Sequence, residues 1–198
     1  MKQFKIILIL LLVFTSCKAE EKSPVDRNKP SDELYYNGVV SSADELASIV
    51  GLEILKNGGN AIDAAVGVGF ALAVVYPRAG NLGGGGFMVI HLADGTNTSI
   101  DYREKAPSGA FRDMYLDENG DVVLDLSTVG HLAAGVPGSV AGMLYALEKY
   151  GTMSRQEVLK YAIKYADDGF IVSEALAGSL WAYYDEFSPF PSTMKIFG

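Results

Sequence analysis

The sequence is poor in the residues that most often reveal chemistry: it has one cysteine, two histidines and one tryptophan in 198 residues. A single cysteine, Cys17, rules out an internal disulfide. The two histidines, His91 and His131, stand forty positions apart, and neither has a carboxylate or cysteine at ligand spacing, so no metal site is expected. Positive charge is also scarce. Sixteen basic against 24 acidic residues give a formal charge of −8, and no basic cluster is present, which argues against a nucleic-acid partner. The longest apolar runs are Ile6–Phe14 and Ala64–Tyr76, nine and thirteen residues. Both are short of the roughly 20 residues a membrane-spanning helix needs.

Nucleotide motifs are missing too. A Gly-x-Gly-x-x-Gly frame opening at Gly83 requires glycine where Met88 stands, and the glycine run precedes a strand instead of following one. No phosphate-loop motif and no serine in a nucleophile elbow are found. No cofactor is expected.

What is present begins with a leader. Lys2 and Lys5 precede the apolar run Ile6–Phe14, so residues 1–16 read as a signal peptide. Phe14-Thr-Ser-Cys17 resembles a bacterial lipobox, with phenylalanine where leucine is preferred. On that resemblance Cys17 is lipidated and holds the protein in the cell envelope, facing the periplasm or the surface. Residues 17–34 form a polar tether, and the folded part is expected over 35–198.

Within the folded part, Gly38-Val-Val-Ser41 reads as a short strand and Ser42 with Glu45 as a capping box opening a helix that stops at Asn57-Gly58-Gly59. Asn60 caps a second helix, with Asp63 complementing its N-terminal dipole. Its run from Ala64 to Tyr76 carries no charged side chain and predicts a helix buried on all sides against a sheet, hence a layered α/β architecture. Helices are also expected over Ser139–Tyr150, from Ser154 to about Asp167, and from Ser173 to about Phe187. The tail from Ser188 shows no hydrophobic period.

Between these helices lies the stretch with most functional content. Gly83–Gly86 is followed by a strand-like run from Phe87 to Leu92, a turn at Ala93–Asn97 and a second strand, Ser99–Tyr102. His91 reads as a packed or edge histidine in the first strand. The second strand delivers Arg103, whose guanidinium can hold a carboxylate through two parallel hydrogen bonds. Spacing leaves an alternative open, a surface ion pair of Arg103 with Asp101 or Glu104.

Four motifs stand in order and register: Gly58-Gly-Asn-Ala-Ile-Asp-Ala-Ala-Val66, Pro77-Arg-Ala-Gly-Asn-Leu-Gly-Gly-Gly-Gly-Phe87, Asp101-Tyr-Arg-Glu-Lys-Ala-Pro107 and Gly135-Val-Pro-Gly138. Together they resemble the N-terminal half of the large subunit of gamma-glutamyltranspeptidases, over about Gly38–Gly198. The resemblance implies an N-terminal nucleophile hydrolase fold, a four-layer αββα sandwich that would be incomplete in this chain. It implies cleavage of the γ-glutamyl amide of glutathione and related compounds, with transfer to water, amino acids or peptides. Arg103 matches the family arginine that grips the α-carboxylate of the γ-glutamyl group. The family nucleophile is a threonine at the N-terminus of a small subunit, and neither Thr128 nor Thr152 sits in its motif. The chain is accordingly expected to be a fragment or a truncated product, inactive alone. A glutaryl-type acylase of the same fold and a non-catalytic lipoprotein remnant are the alternatives.

Overall fold

The computed structural model describes residues 37–198. The leader, Cys17 and the whole of the tether lie outside the described residues. The elements run α1 (Glu45–Lys56), α2 (Ala61–Val75), β1 (Phe87–His91), β2 (Asn97–Asp101), a 3₁₀ turn at His131–Ala133, α3 (Ser139–Tyr150), α4 (Arg155–Asp168), α5 (Glu174–Ala182), α6 (Tyr184–Phe187) and α7 (Pro191–Phe197). Among the described residues no helix is long and apolar enough to cross a membrane.

Helix α1 buries Ala47, Val50, Gly51 and Ile54, the three- and four-residue spacing that puts side chains on one face. Its cap is Asp44 and not the expected Ser42. Asp44 holds extended dihedrals and accepts from the Leu46 N–H at 2.9 Å, while the Ser42 hydroxyl donates to the Asp44 carbonyl at 2.8 Å. Helical dihedrals begin only at Glu45, so the residue directly before it takes the capping position. The expected strand at Gly38–Ser41 does not form either. The segment has no regular structure and no strand beside it among the described residues, and a ladder needs two members.

Helix α2 is the centre of the core. Asn60 accepts from Ile62 N and Asp63 N, and the Asp63 carboxylate accepts from Asn60 N at 2.7 Å, closing a capping box as the sequence suggested. Its buried side chains, Ile62, Val66, Phe70, Ala71 and Val75 among them, meet Val50 and Ile54 of α1, Met143, Ala146 and Leu147 of α3, and Val158 and Ala162 of α4. Among the described residues α2 packs chiefly on α1, α3 and α4, and Ile90 of β1 joins the same core cluster. Helix α2 is not enclosed all round, since Ala65 is exposed and Val68 and Leu72 are only half-buried. Alanine and glycine allow close approach to any flat partner, and a helix serves as well as a sheet.

The hairpin β1–β2 is antiparallel, with Phe87 opposite Asp101 and Ile90 opposite Thr98. Met88, Ile90 and Ile100 turn toward the core and α3 touches β2, while Phe87 and Val89 face outward. The described residues thus supply helices on one face of one two-stranded sheet, a mixed α+β arrangement. His91 is an edge residue, its Nδ1 2.8 Å from Asn97 Oδ1.

Two further expectations need correction. The helix from Ser173 breaks at Tyr183 into α5 and α6. The tail, read as irregular, contains α7: Pro191 occupies its first turn, where a missing N–H costs nothing, and Phe197 meets Phe187 with ring centroids 6.1 Å apart.

Candidate functional site

Arg103 leaves the end of β2, and three separate stretches fix the backbone that carries it. On one side Tyr102 N donates to Gly86 O at 3.0 Å, the last rung of the hairpin. The Asp101 carboxylate then accepts from Arg103 N at 3.0 Å, turning the chain out of the strand. On the other side Lys105 and Val136 exchange both backbone hydrogen bonds, at 3.1 and 2.8 Å, so the Gly135–Gly138 motif runs antiparallel to the segment after Arg103. Gly138 N and Ser139 N both donate to Gly84 O, at 2.9 and 3.0 Å, which ties the start of α3 to the glycine run.

The glycines here are needed for close approach. A Cβ on Gly85 would stand 2.6 Å from Tyr102 O and 2.7 Å from Arg103 Cα. One on Gly138 would collide with the Tyr102 carbonyl, and one on Gly142 with the Tyr102 ring. A side chain at Gly85 or Gly138 would displace the backbone of residues 102–104, and one at Gly142 would displace the Tyr102 side chain. Burial pushes the Tyr102 phenol up, so Tyr102 is a neutral packing residue at physiological pH.

The Arg103 side chain itself is 67% exposed and borders a cleft of about 610 Å³ lined by Gly83, Glu104, Ala106, Tyr115 and Gly135 among others. Its Nε lies 3.8 Å from Glu104 Oε2, an exposed and long pair. Asp101, the other ion-pair partner the spacing allowed, is engaged by the Arg103 backbone N–H instead. Among the described residues the guanidinium therefore makes no close, buried ion pair, and it stands at the cleft wall.

Thr152 and Thr128 are otherwise engaged. Thr152 donates its hydroxyl to Asp63 Oδ2 at 2.7 Å and its N–H to the same carboxylate. The Thr128 hydroxyl donates to Asp125 O at 3.2 Å on the surface. The Asp63 carboxylate also accepts from Met153 N at 3.2 Å and is fully buried. Burial would raise it, but the Thr152 hydroxyl and the N–H groups of Asn60, Met153 and Thr152 outweigh that and hold it below the ordinary aspartate value. Sequence reasoning gave Asp63 a role at its own helix end only; partners 89 positions away leave no local signal.

The solved structures that superpose on this chain share one class of fold, that of the N-terminal nucleophile hydrolases. The structure of gamma-glutamyltranspeptidase from Helicobacter pylori superposes with a TM-score of 0.81 at 50% identity, covering 83% of this chain and 47% of that one. A family model described as Gamma-glutamyltranspeptidase matches residues 47–198. The chain belongs to the gamma-glutamyltranspeptidase family. It is 58% identical over 151 residues to a glutathione hydrolase proenzyme of Pseudomonas sp. strain A14, covering 76% of this chain and 26% of the relative. Against the Escherichia coli K12 glutathione hydrolase proenzyme it is 49% identical over 180 residues, 89% of this chain and 31% of the relative. The chain thus spans about a quarter to a third of the length of these relatives.

Proposed function

We propose that the protein to which this chain contributes cleaves γ-glutamyl amides, glutathione among them, and passes the γ-glutamyl group to water or to the amine of an amino acid or peptide. The observation that carries this reading is Arg103, held at a cleft wall by the glycine run, the Asp101 turn and the Gly135–Gly138 segment. Arg103 is assigned to the α-carboxylate of the γ-glutamyl group, a planar anion suited to a guanidinium fork. The nucleophile is the N-terminal threonine of the small subunit. Its hydroxyl attacks the γ-carbonyl, its α-amino group takes the proton, and the amine leaves protonated. Water or an acceptor amine then attacks the resulting ester and frees the threonine.

The test is turnover of three anilides by the complete protein. Fast release from γ-glutamyl anilide, with 4-aminobutyryl anilide slow because it lacks the α-carboxylate, is the expected result. Glutaryl anilide keeps that carboxylate but lacks the amino group. Preference for it would move the assignment to an acylase, and no turnover of any of the three would leave a remnant.

Cys17 is assigned as the lipidated N-terminus of the mature protein, anchored in the cell envelope. Several acyl chains hold a protein at a membrane where one alone binds reversibly. The Cys17→Ala variant is expected to move from the membrane to the soluble fraction and to lack the mass of the lipid. An unchanged mass and fractionation would overturn the anchor.

A further inference from the structure

Among the described residues Phe87 is an aromatic side chain that takes no part in the core cluster. It opens β1 directly after Gly86 and faces away from the core, with 64% of its surface exposed. Its cross-strand partner is Asp101, the residue whose carboxylate turns the chain into Arg103. That register brings the Arg103 guanidinium over the Phe87 ring, with Cζ 6.0 Å from the centroid, at the outer bound of cation–π contact. The only carboxylate within ion-pair distance of Arg103 among the described residues is Glu104, on the Nε side.

From this placement we infer that Phe87 is a positioning residue for substrate binding. Its ring is the platform on which the Arg103 guanidinium rests, limiting the rotamers of a long side chain so that its terminal nitrogens stay free for a carboxylate. The inference rests on the assignment of Arg103 to the substrate carboxylate. A flexible arginine must be ordered when substrate arrives, and a side chain already stacked loses less freedom on binding. An aromatic face suits this better than an aliphatic one, because the ring quadrupole attracts the cation without competing for its N–H groups. A carboxylate in the same place would hold the cation too, but would occupy the fork.

The experiment compares Phe87→Leu, Phe87→Met and Phe87→Tyr in the complete enzyme, each alone and with Arg103→Gln. Leucine and methionine keep apolar bulk and lose the π face. Both are expected to raise KM for γ-glutamyl anilide roughly 3- to 30-fold, the range for an exposed to a desolvated cation–π contact, with kcat within about two-fold. Tyrosine is expected to restore the wild-type KM, and none of the three should change KM further once Arg103 is glutamine. Two results would overturn the platform: Phe87 variants that leave KM unchanged while Arg103→Gln raises it, or an effect that persists undiminished in the Arg103→Gln background. If Arg103→Gln itself leaves KM unchanged, the carboxylate assignment fails first and the platform with it.

Discussion

Replacing Asp63 by alanine is expected to destabilise the complete protein by on the order of 3–5 kcal/mol, because several buried donors lose a charged acceptor at about 1–3 kcal/mol each. Four donors converge on this one carboxylate: Asn60 N, Thr152 N, the Thr152 hydroxyl and Met153 N. They come from the start of α2 and from the loop joining α3 to α4, so the carboxylate fastens the central helix to the pair packed against it. Alanine leaves all four donors without that acceptor in a site that is 0% exposed. Against a total stability of roughly 5–15 kcal/mol that is a large fraction. Asparagine keeps the shape but turns an N–H₂ group toward donors, and is expected to fall between the two. The measurement is the denaturant midpoint of the purified variants; a shift equivalent to less than about 1 kcal/mol for alanine would show that the loop is held by other means.

The same carboxylate gives stability a dependence on acid. Its folded-state pKa lies below the ordinary aspartate value of 3.8, so the unfolded chain takes up the proton first as pH falls. The contribution is complete above that ordinary value and is lost as pH drops through the lower, folded-state one. Glu157 adds in the same sense: hydrogen bonds from the Ser154 hydroxyl and N–H, its partners in the cap of α4, also hold it below its usual range. Asp63→Asn should therefore be less stable at neutral pH and show a shallower acid decline.

Local signals carried most of the helix layout. Asn60 with Asp63 and Ser154 with Glu157 are capping pairs three residues apart, and both are formed. Gly151 closes α3 where a glycine should. The errors arise where two local readings compete or where the deciding partner is remote. Ser42 and Asp44 can each cap α1, and the residue adjacent to the first helical turn takes the role. The tail from Ser188 shows no hydrophobic period, yet Pro191 at a first helical position starts α7. An Ala- and Gly-rich apolar run tells of burial but not of what covers it, and the share of the cover that α1, α3 and α4 supply had no sign in the run itself. The site divides in the same way. The glycine run and the hairpin are readable from turn chemistry. The contact of Tyr102 with Gly138 and Gly142 joins residues some forty positions apart and has no local trace. Arg103 itself was distinguished from a surface ion-pair residue only by the family resemblance.

Arg103→Lys in the complete enzyme tests whether that distinction holds, and the size of the effect decides it. In the described residues the side chain is 67% exposed, and an ion pair so open to water contributes about 0–1 kcal/mol. If Arg103 grips the substrate α-carboxylate inside a closed site, the pair is desolvated and the lost second hydrogen bond costs about 2–4 kcal/mol. That corresponds to a fall in kcat/KM of roughly 30-fold or more. The loss should fall on KM and leave kcat nearly unchanged. The α-carboxylate is remote from the amide being cleaved and is held alike in the ground and transition states. Turnover of 4-aminobutyryl anilide, which has no such carboxylate, should be the same in both enzymes. Salt separates the two readings again, because an exposed pair is screened over a Debye length of about 8 Å at physiological ionic strength while a covered one is largely spared. A KM that rises less than about five-fold in Arg103→Lys, or a rise that vanishes in high salt, would mean that Arg103 is a surface cation and that the carboxylate is held elsewhere.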